Sequence, residues 1–234
     1  MKEIPFPHQI EAAITGNPFL SLLGGAERKE CIQQSSLFTI PKGDTLYRAG
    51  DPADCVWAVV NGQAKIVKQS HSGRCLLIEI IMPGEICGGI CYSENTHFVF
   101  SAFAMEETKA LRFPLEVLQK NAETNPALLR ALLKDICRRL YHAQHMRSLS
   151  VEDVAGRVAC ALVYLQDKFG DTIPHSRATL AELSGTTVES AIRATRLLHQ
   201  RGILETQRNR IEITSLQALK DFAHKPAGRR KIAR

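Results

Sequence analysis

The spacing of apolar positions changes along the chain, and each change marks an expected element. Residues 1 to 35 are loosely amphipathic at helical spacing, with Phe19, Leu20, Leu22 and Leu23 as an apolar patch, and predict a helical arm packed on the next part of the chain. From Leu37 the period becomes two, through Leu37–Ile40, Thr45–Tyr47, Cys55–Val60, Ala64–Val67, Leu76–Ile81, Phe98–Ala104 and Ala110–Phe113. Pro41-Lys42-Gly43-Asp44, Ala49-Gly50-Asp51-Pro52 and Asn61-Gly62 punctuate these runs as turns. Short strands separated by glycine turns predict an antiparallel barrel or jelly roll.

After Pro114 the helical period returns. Pro126 suits the first turn of a long helix, where its missing N–H costs nothing. Leu129, Leu133, Ile136, Leu140 and Ala143 recur there at alternating spacings of four and three, continued by Arg147, while Leu128, Leu132 and Tyr141 form a second apolar flank. The first stripe is a coiled-coil seam between two chains and the second covers the barrel, so a homodimer is expected. Ser148-Leu149-Ser150 breaks the pattern. Ser150 with Asp153 reads as a capping box opening a helix from Val151 to about Lys168, with Val154, Val158, Ala161, Leu162 and Leu165 on one side. The expected organisation is therefore a jelly-roll unit with its helical arm over 1–125, a dimerisation helix over 126–148 and a further domain over 149–234.

That last domain holds the chain's most specific local pattern. Leu180 and Leu183 give a short helix a buried stripe; Ala191, Ile192, Thr195 and Leu198 give a longer one the same. Ser184-Gly185-Thr186 lies between them as a tight turn, and Thr186 with Glu189 predicts a helix start near Thr187. Two helices joined by a short glycine turn make a helix-turn-helix candidate, whose second helix would place its N-terminal residues against base edges in the major groove. Ile203–Thr206 and Arg210–Ile213 read as a hairpin with Gln207 to Asn209 at its tip, completing a winged helix-turn-helix.

Charge sharpens this reading. The net charge is +6, and from Ser150 onward 14 Lys and Arg face 9 Asp and Glu, so the excess sits with the helix-turn-helix, as phosphate binding requires. Glu189 and Arg193 share one helix face beside Val188: glutamate accepts from cytosine N4, arginine grips guanine O6 and N7, and valine touches a thymine methyl. In isolation the same pair would be an ordinary i,i+4 surface ion pair; the short helix, the glycine turn and the basic surroundings favour base reading. Thr179, Thr187, Arg196, Arg208 and Arg210 are the candidate phosphate contacts, and the basic tail from Lys225 to Arg234 reads as a solvated end.

Other classes fit less well. Apolar runs stay short of the ~20 residues of a membrane span, and Met1 to His8 lacks the apolar centre of a signal peptide, so a cytoplasmic protein without membrane partners is expected. Seven irregularly spaced cysteines then read as reduced thiols. A cupin-like metal enzyme would need clustered His and carboxylate ligands, whereas His71 and His97 are isolated; no phosphate-cradling loop or triad is present, and no catalysis is expected.

The order of parts resembles the CRP/FNR family of bacterial transcription regulators. The matching residues are P-K-G-D-T-L-Y-R-A-G-D at 41 to 51, V-W-A-V-V-N-G-Q-A-K-I at 56 to 66, P-G-E at 83 to 85, D-V-A-G-R-V at 153 to 158 and L-A-E-L-S-G-T-T-V-E-S-A-I-R at 180 to 193. The resemblance implies an α+β fold: an N-terminal antiparallel jelly roll like the cyclic-nucleotide-binding domain, a long dimerisation helix and a C-terminal winged helix-turn-helix. It also implies double-stranded DNA and RNA polymerase as partners, with Glu189 and Arg193 reading a TGA-containing half-site of an inverted repeat. Val188 matches the FNR branch. Ile192 replaces that branch's serine and cannot hydrogen-bond a base edge, so the outer bases are expected to differ.

The effector is defined mainly by what the sequence lacks. Where the cAMP-binding branch has a glutamate for the ribose and an Arg-Ser pair for the phosphate, the aligned positions resemble Gly89, Phe98 and Val99, which supply no charge-assisted donor. The N-terminal cysteine cluster of the iron–sulfur branch is also missing, since Cys31 is the first cysteine. Three readings remain for Cys87 to Phe100: a haem pocket of a gas sensor with His8, Cys87, Cys91 or His97 as ligands; a thiol redox sensor at Cys87 and Cys91; or an apolar pocket for another small molecule, or for none, with the cysteines as core.

Overall fold

The structure is a computed structural model that describes residues 1–4, 7–69, 75–88, 97–148 and 153–224 of 234, with the side chains of 145–148 and 224 excepted. It divides into two compact units, Met1–Ile136 and Cys137–Arg234.

In the first unit, two antiparallel sheets form the jelly roll. One has the order β1-β2-β9-β4-β7, from Lys2–Ile4, Ser36–Ile40, Thr108–Pro114, Cys55–Asn61 and Ile86–Cys87. The other has the order β3-β8-β5-β6, from Thr45–Tyr47, Ser101–Ala104, Ala64–Gln69 and Cys75–Ile81. Most of the strand runs read from the sequence are present. Their alternate side chains meet in one core that includes Leu37, Ile40, Val56, Ala58, Ile81, Leu111 and Phe113. The strand expected from Phe98 begins only at Ser101, because Phe98 spends its backbone on a turn: its N–H donates to Asp51 O and its C=O accepts from Gly50 N.

The N-terminal arm departs from the all-helical expectation. Lys2–Ile4 pairs with β2, placing Ile4 opposite Leu37 and satisfying backbone groups along that strand. Helices α1 (Pro7–Gly16) and α2 (Gly25–Gln34) come next, separated by a short 3-10 turn at Leu20–Leu22. Of the apolar patch, Leu20 and Leu23 are buried and Leu22 is exposed. Buried Asn17 fastens the arm: its Nδ2 donates to Gly84 O at 3.2 Å while its Oδ1 accepts from the amides of Phe19 and Leu20.

After β9, α3 (Leu115–Thr124) leads to α4 (Pro126–Ser148). Pro126 opens α4 as expected, and Asn125 caps it, its Oδ1 accepting from Ala127 N and Leu128 N at 3.1 Å. Leu128 and Leu132 pack into the jelly-roll core. On the other face Leu129, Leu133, Ile136 and Leu140 remain 50–56% exposed.

The second unit begins its described core at α5 (Val154–Phe169). The helix starts later than the capping-box reading placed it, because Asp153 is itself the N-cap and accepts from Gly156 N at 2.8 Å. Ser150 lies outside the described residues, as does the basic tail. Helix α5 buries Val158, Ala161, Leu162 and Leu165 and packs against α6 (Arg177–Leu183), α7 (Val188–Gln200) and α8 (Leu216–His224). The hairpin of β11 (Leu204–Gln207) and β12 (Arg210–Ile213) gains a third strand, β10 (Thr172–Ile173), on the far side of β12. No described helix is long and apolar enough to cross a membrane.

His175, just ahead of α6, is buried edge-on to Phe169 with no partner at Nε2. Burial lowers its pKa to about 4. The folded state therefore holds it neutral while the unfolded chain binds a proton near pH 6.5, so this contribution is complete above that pH. It is lost as pH falls toward 4, by at most about 3 kcal/mol. In thermal melts across pH 7 to 4.5, the second unit of His175→Gln is expected to lose less stability than that of the wild type; parallel losses would contradict this.

Candidate functional site

The geometry of α6 and α7 is set by their caps. Ser176 caps α6 by accepting from Thr179 N at 3.3 Å. At the other end Thr186 N donates to Ala181 O at 3.0 Å and Gly185 N lies 3.5 Å from Glu182 O, a Schellman closure. It requires the left-handed φ of 59° that Gly185 adopts. The cap of α7 is Thr187 rather than Thr186, with its Oγ1 accepting from Ser190 N at 3.3 Å. The sequence reading was one residue early because Thr186 belongs to the closure of α6.

Helix α7 buries Ala191, Ala194, Thr195 and Leu198. Ile192, read from periodicity as part of the buried stripe, is instead 46% exposed, and Ala194 takes the inward position. The outward face gathers Val188, Glu189, Ile192, Arg193 and Arg196 along one ridge, all exposed. The Glu189 carboxyl is held below the usual carboxylate value, first by its own backbone N–H, then by the Thr187 hydroxyl and the Arg193 charge, which keeps it an acceptor. Arg193 Nη2 donates to Ser190 Oγ at 2.7 Å, and Thr187 Oγ1 donates to the same oxygen at 3.1 Å. The sequence reading did not single out Ser190, although its spacing of three from both neighbours was the available signal.

Around this ridge, Thr179 is half-buried beside Ser176, and Arg208 and Asn209 form the two-residue loop of the hairpin with Asn209 at φ 56°. Arg210 is exposed and lies 3.5 Å from Glu212. His199 Nδ1 sits 3.1 Å from both Leu204 O and Glu205 Oε2, tying the end of α7 to β11.

In the first unit, the segment singled out as an effector pocket is partly described. Phe98 is buried and stacks on Tyr47 with ring centroids 3.9 Å apart. Gly88 stands against the same ring, since a Cβ there would meet Phe98 Cε1 at 3.1 Å and Cys55 O at 3.2 Å. Cys87 is buried opposite Trp57, whereas His97 and Val99 are exposed and His8 lies exposed on α1. Gly89 and Cys91 lie outside the described residues. Neither Phe98 nor Val99 carries a side-chain group that can donate a hydrogen bond to a phosphate. No group of three or more His, Cys, Asp or Glu side chains able to hold a metal ion occurs among the described residues. Two open clefts of about 440 and 450 Å³ are lined elsewhere, one around Cys55 and Arg112 and the other around Ala13 and Val59. On α4 the exposed stripe of Leu129, Leu133, Ile136 and Leu140 continues to exposed Ala143.

Comparison with known proteins adds to this geometry. The profile of the cyclic nucleotide-binding domain matches residues 37–125, and that of the Crp-like helix-turn-helix domain matches residues 156–222. The chain is 27% identical over 186 residues to a CRP-like cAMP-activated global transcriptional regulator of Mycobacterium tuberculosis, covering 79% of this chain and 76% of that one. It is 28% identical over 183 residues to the transcriptional activator protein Anr of Pseudomonas aeruginosa, covering 74% and 75%. The structure of FixK2 from Bradyrhizobium japonicum superposes with a TM-score of 0.71 at 24% identity, over 80% of this chain and 96% of that one. With a cyclic nucleotide-binding-type jelly roll ahead of a Crp-like helix-turn-helix, the chain belongs to the CRP/FNR family of DNA-binding transcription regulators.

Proposed function

We propose that this chain acts as a cytoplasmic homodimer that binds an inverted repeat with TGA-like half-site cores and is controlled through its jelly roll by a signal other than cAMP. The observation that carries the reading is the exposed ridge at the start of α7, where Val188, Glu189, Ile192 and Arg193 are the side chains free to meet base edges. Glu189 accepts from cytosine N4, Arg193 donates to guanine O6 and N7, and Val188 meets a thymine methyl. Ile192 offers only apolar contact and shifts the outer-base preference. Thr179, Thr187, Arg196, Arg208 and Arg210 supply phosphate contacts that set register without reading sequence. RNA polymerase is the further partner, by likeness to the family, and no catalysis is assigned.

Domain extents of 1–125 for sensing, 126–148 for dimerisation and 149–234 for DNA binding go with this reading. The dimer is supported by the α4 stripe, since four apolar side chains at least half exposed in a row are costly in water. The Mycobacterium tuberculosis relative is named for activation by cAMP. Phe98 against Tyr47 argues against the same effector here, because a buried phosphate needs charged donors. The signal is a different small molecule or a gas. In the haem and thiol versions of the regulator, Cys87, Cys91, His97 and His8 are the groups to follow.

Gel-shift titration across ionic strength tests the function. Affinity is expected to fall steeply as salt rises, and Arg193→Ala to weaken binding to the best site by ~1–3 kcal/mol. A flat salt response, or unchanged binding by the variant, contradicts the reading. For the dimer, Leu133→Asp with Ile136→Asp removes about 1.5–3 kcal/mol of burial per side chain and is expected to weaken self-association more than a hundredfold. Light scattering reads this directly, and a monomeric wild type would contradict it. Excess cAMP is expected to leave operator affinity within about twofold, well under the ~5-fold that marks allosteric coupling; a tenfold rise would overturn the exclusion. An absorption spectrum of fresh protein reports haem through its Soret band.

A further inference from the structure

Helix α6 ends on carbonyls that have no partner within the helix, as every helix does. At Ser184 the other polar groups are spoken for: its N–H and its hydroxyl both donate to Leu180 O, at 2.9 and 2.7 Å. Its carbonyl is taken from outside the motif. Arg157, in the first turn of α5, donates from Nε to Ser184 O at 3.1 Å across 27 residues of sequence. The guanidinium is thereby placed at the negative end of α6, where a cation is favoured, and the bond is charge-assisted.

This bond sits at the point where the orientation of α7 is decided. Ser184 begins the turn that runs through Gly185 and Thr186 to the Thr187 cap, and Val188 starts the helix. The residues nearest the turn are those that meet base edges, so a small rotation at Ser184 moves Val188 and Glu189 directly. Readout geometry must hold within about 0.5 Å to keep its hydrogen bonds. We propose that Arg157 is a positioning residue for recognition: it clamps the C-terminal carbonyl of α6 and so fixes the angle at which α7 presents its base-reading ridge. The clamp also ties the turn to the first turn of α5, four residues from the Asp153 cap that opens that helix.

This inference rests on the reading of α7 as the groove-reading helix. It separates Arg157 from a phosphate-contacting arginine, which would strengthen binding to all DNA and add about one unit to the salt slope. The test measures the ratio of specific to non-specific affinity, the salt slope of non-specific binding, and hydrogen exchange at the Thr186 amide, whose bond to Ala181 O closes the turn. Arg157→Ala is expected to lower the ratio about tenfold, the scale of one charge-assisted bond, with the salt slope unchanged and the Thr186 amide exchanging faster. Arg157→Lys, which keeps the charge and the reach, is expected to recover part of the ratio. Should the alanine variant fail to fold, Arg157→Gln, which keeps a polar stem but is too short and uncharged, decides by the same readouts. An unchanged ratio overturns the proposal, as does an equal loss of specific and non-specific binding with a shallower salt slope. If the wild type itself shows no sequence preference, the reading of α7 fails first; if the wild type is specific and the variants match it, only the clamp fails.

Discussion

Burial of Ala191, Ala194, Thr195 and Leu198 determines which side of α7 remains available to a partner. An amphipathic helix has one angular freedom, rotation about its axis, and a packed apolar stripe removes it. With α5 and α6 packed against α7, the outward ridge is Val188, Glu189, Ile192, Arg193 and Arg196. The local capping chemistry then finishes the presentation. Thr187 starts the helix, Ser190 holds the Arg193 guanidinium, and Arg157 holds the turn from behind. Specific recognition on this account depends on a small hydrophobic contact made well away from any base.

The same logic of divided faces applies to α4. Leu128 and Leu132 pack into the jelly-roll core while the residues next to them, Leu129 and Leu133, face outward. A helix buried on one stripe and apolar on another has work for two partners, and the described chain supplies one of them. The proposed second copy would make the helix both a lid on the jelly roll and a dimer seam, so that a change in either is felt by the other.

Much of this was legible from periodicity because amphipathic faces and strand alternation are local signals. The strand order was not, since the pairing of Lys2–Ile4 with β2 depends on a sheet edge that exists only after folding. The misplaced caps have the same origin. Thr186 has the composition of a cap, but the closure of α6 uses its N–H, and Asp153 is itself the cap of α5, accepting from Gly156 N. Ile192 fits a helical stripe by spacing alone, and packing gives the inward place to Ala194 instead. At the effector segment, the sequence told which donors are missing, whereas the stacking of Phe98 on Tyr47 needed three dimensions. Arg157 was invisible for a related reason, since its partner Ser184 O is chosen by the tertiary arrangement, whereas Ser190 bonds locally to Thr187 and Arg193 at a spacing of three.

Selection of binding sites from a pool of random duplex DNA by the full chain tests the central claim most directly. The enriched sequences should converge on an inverted repeat with TGA-like cores whose half-sites lie about one helical turn apart, the spacing that a two-fold pair of recognition helices imposes. Convergence on a single half-site or a direct repeat, or no convergence at all, would contradict the account.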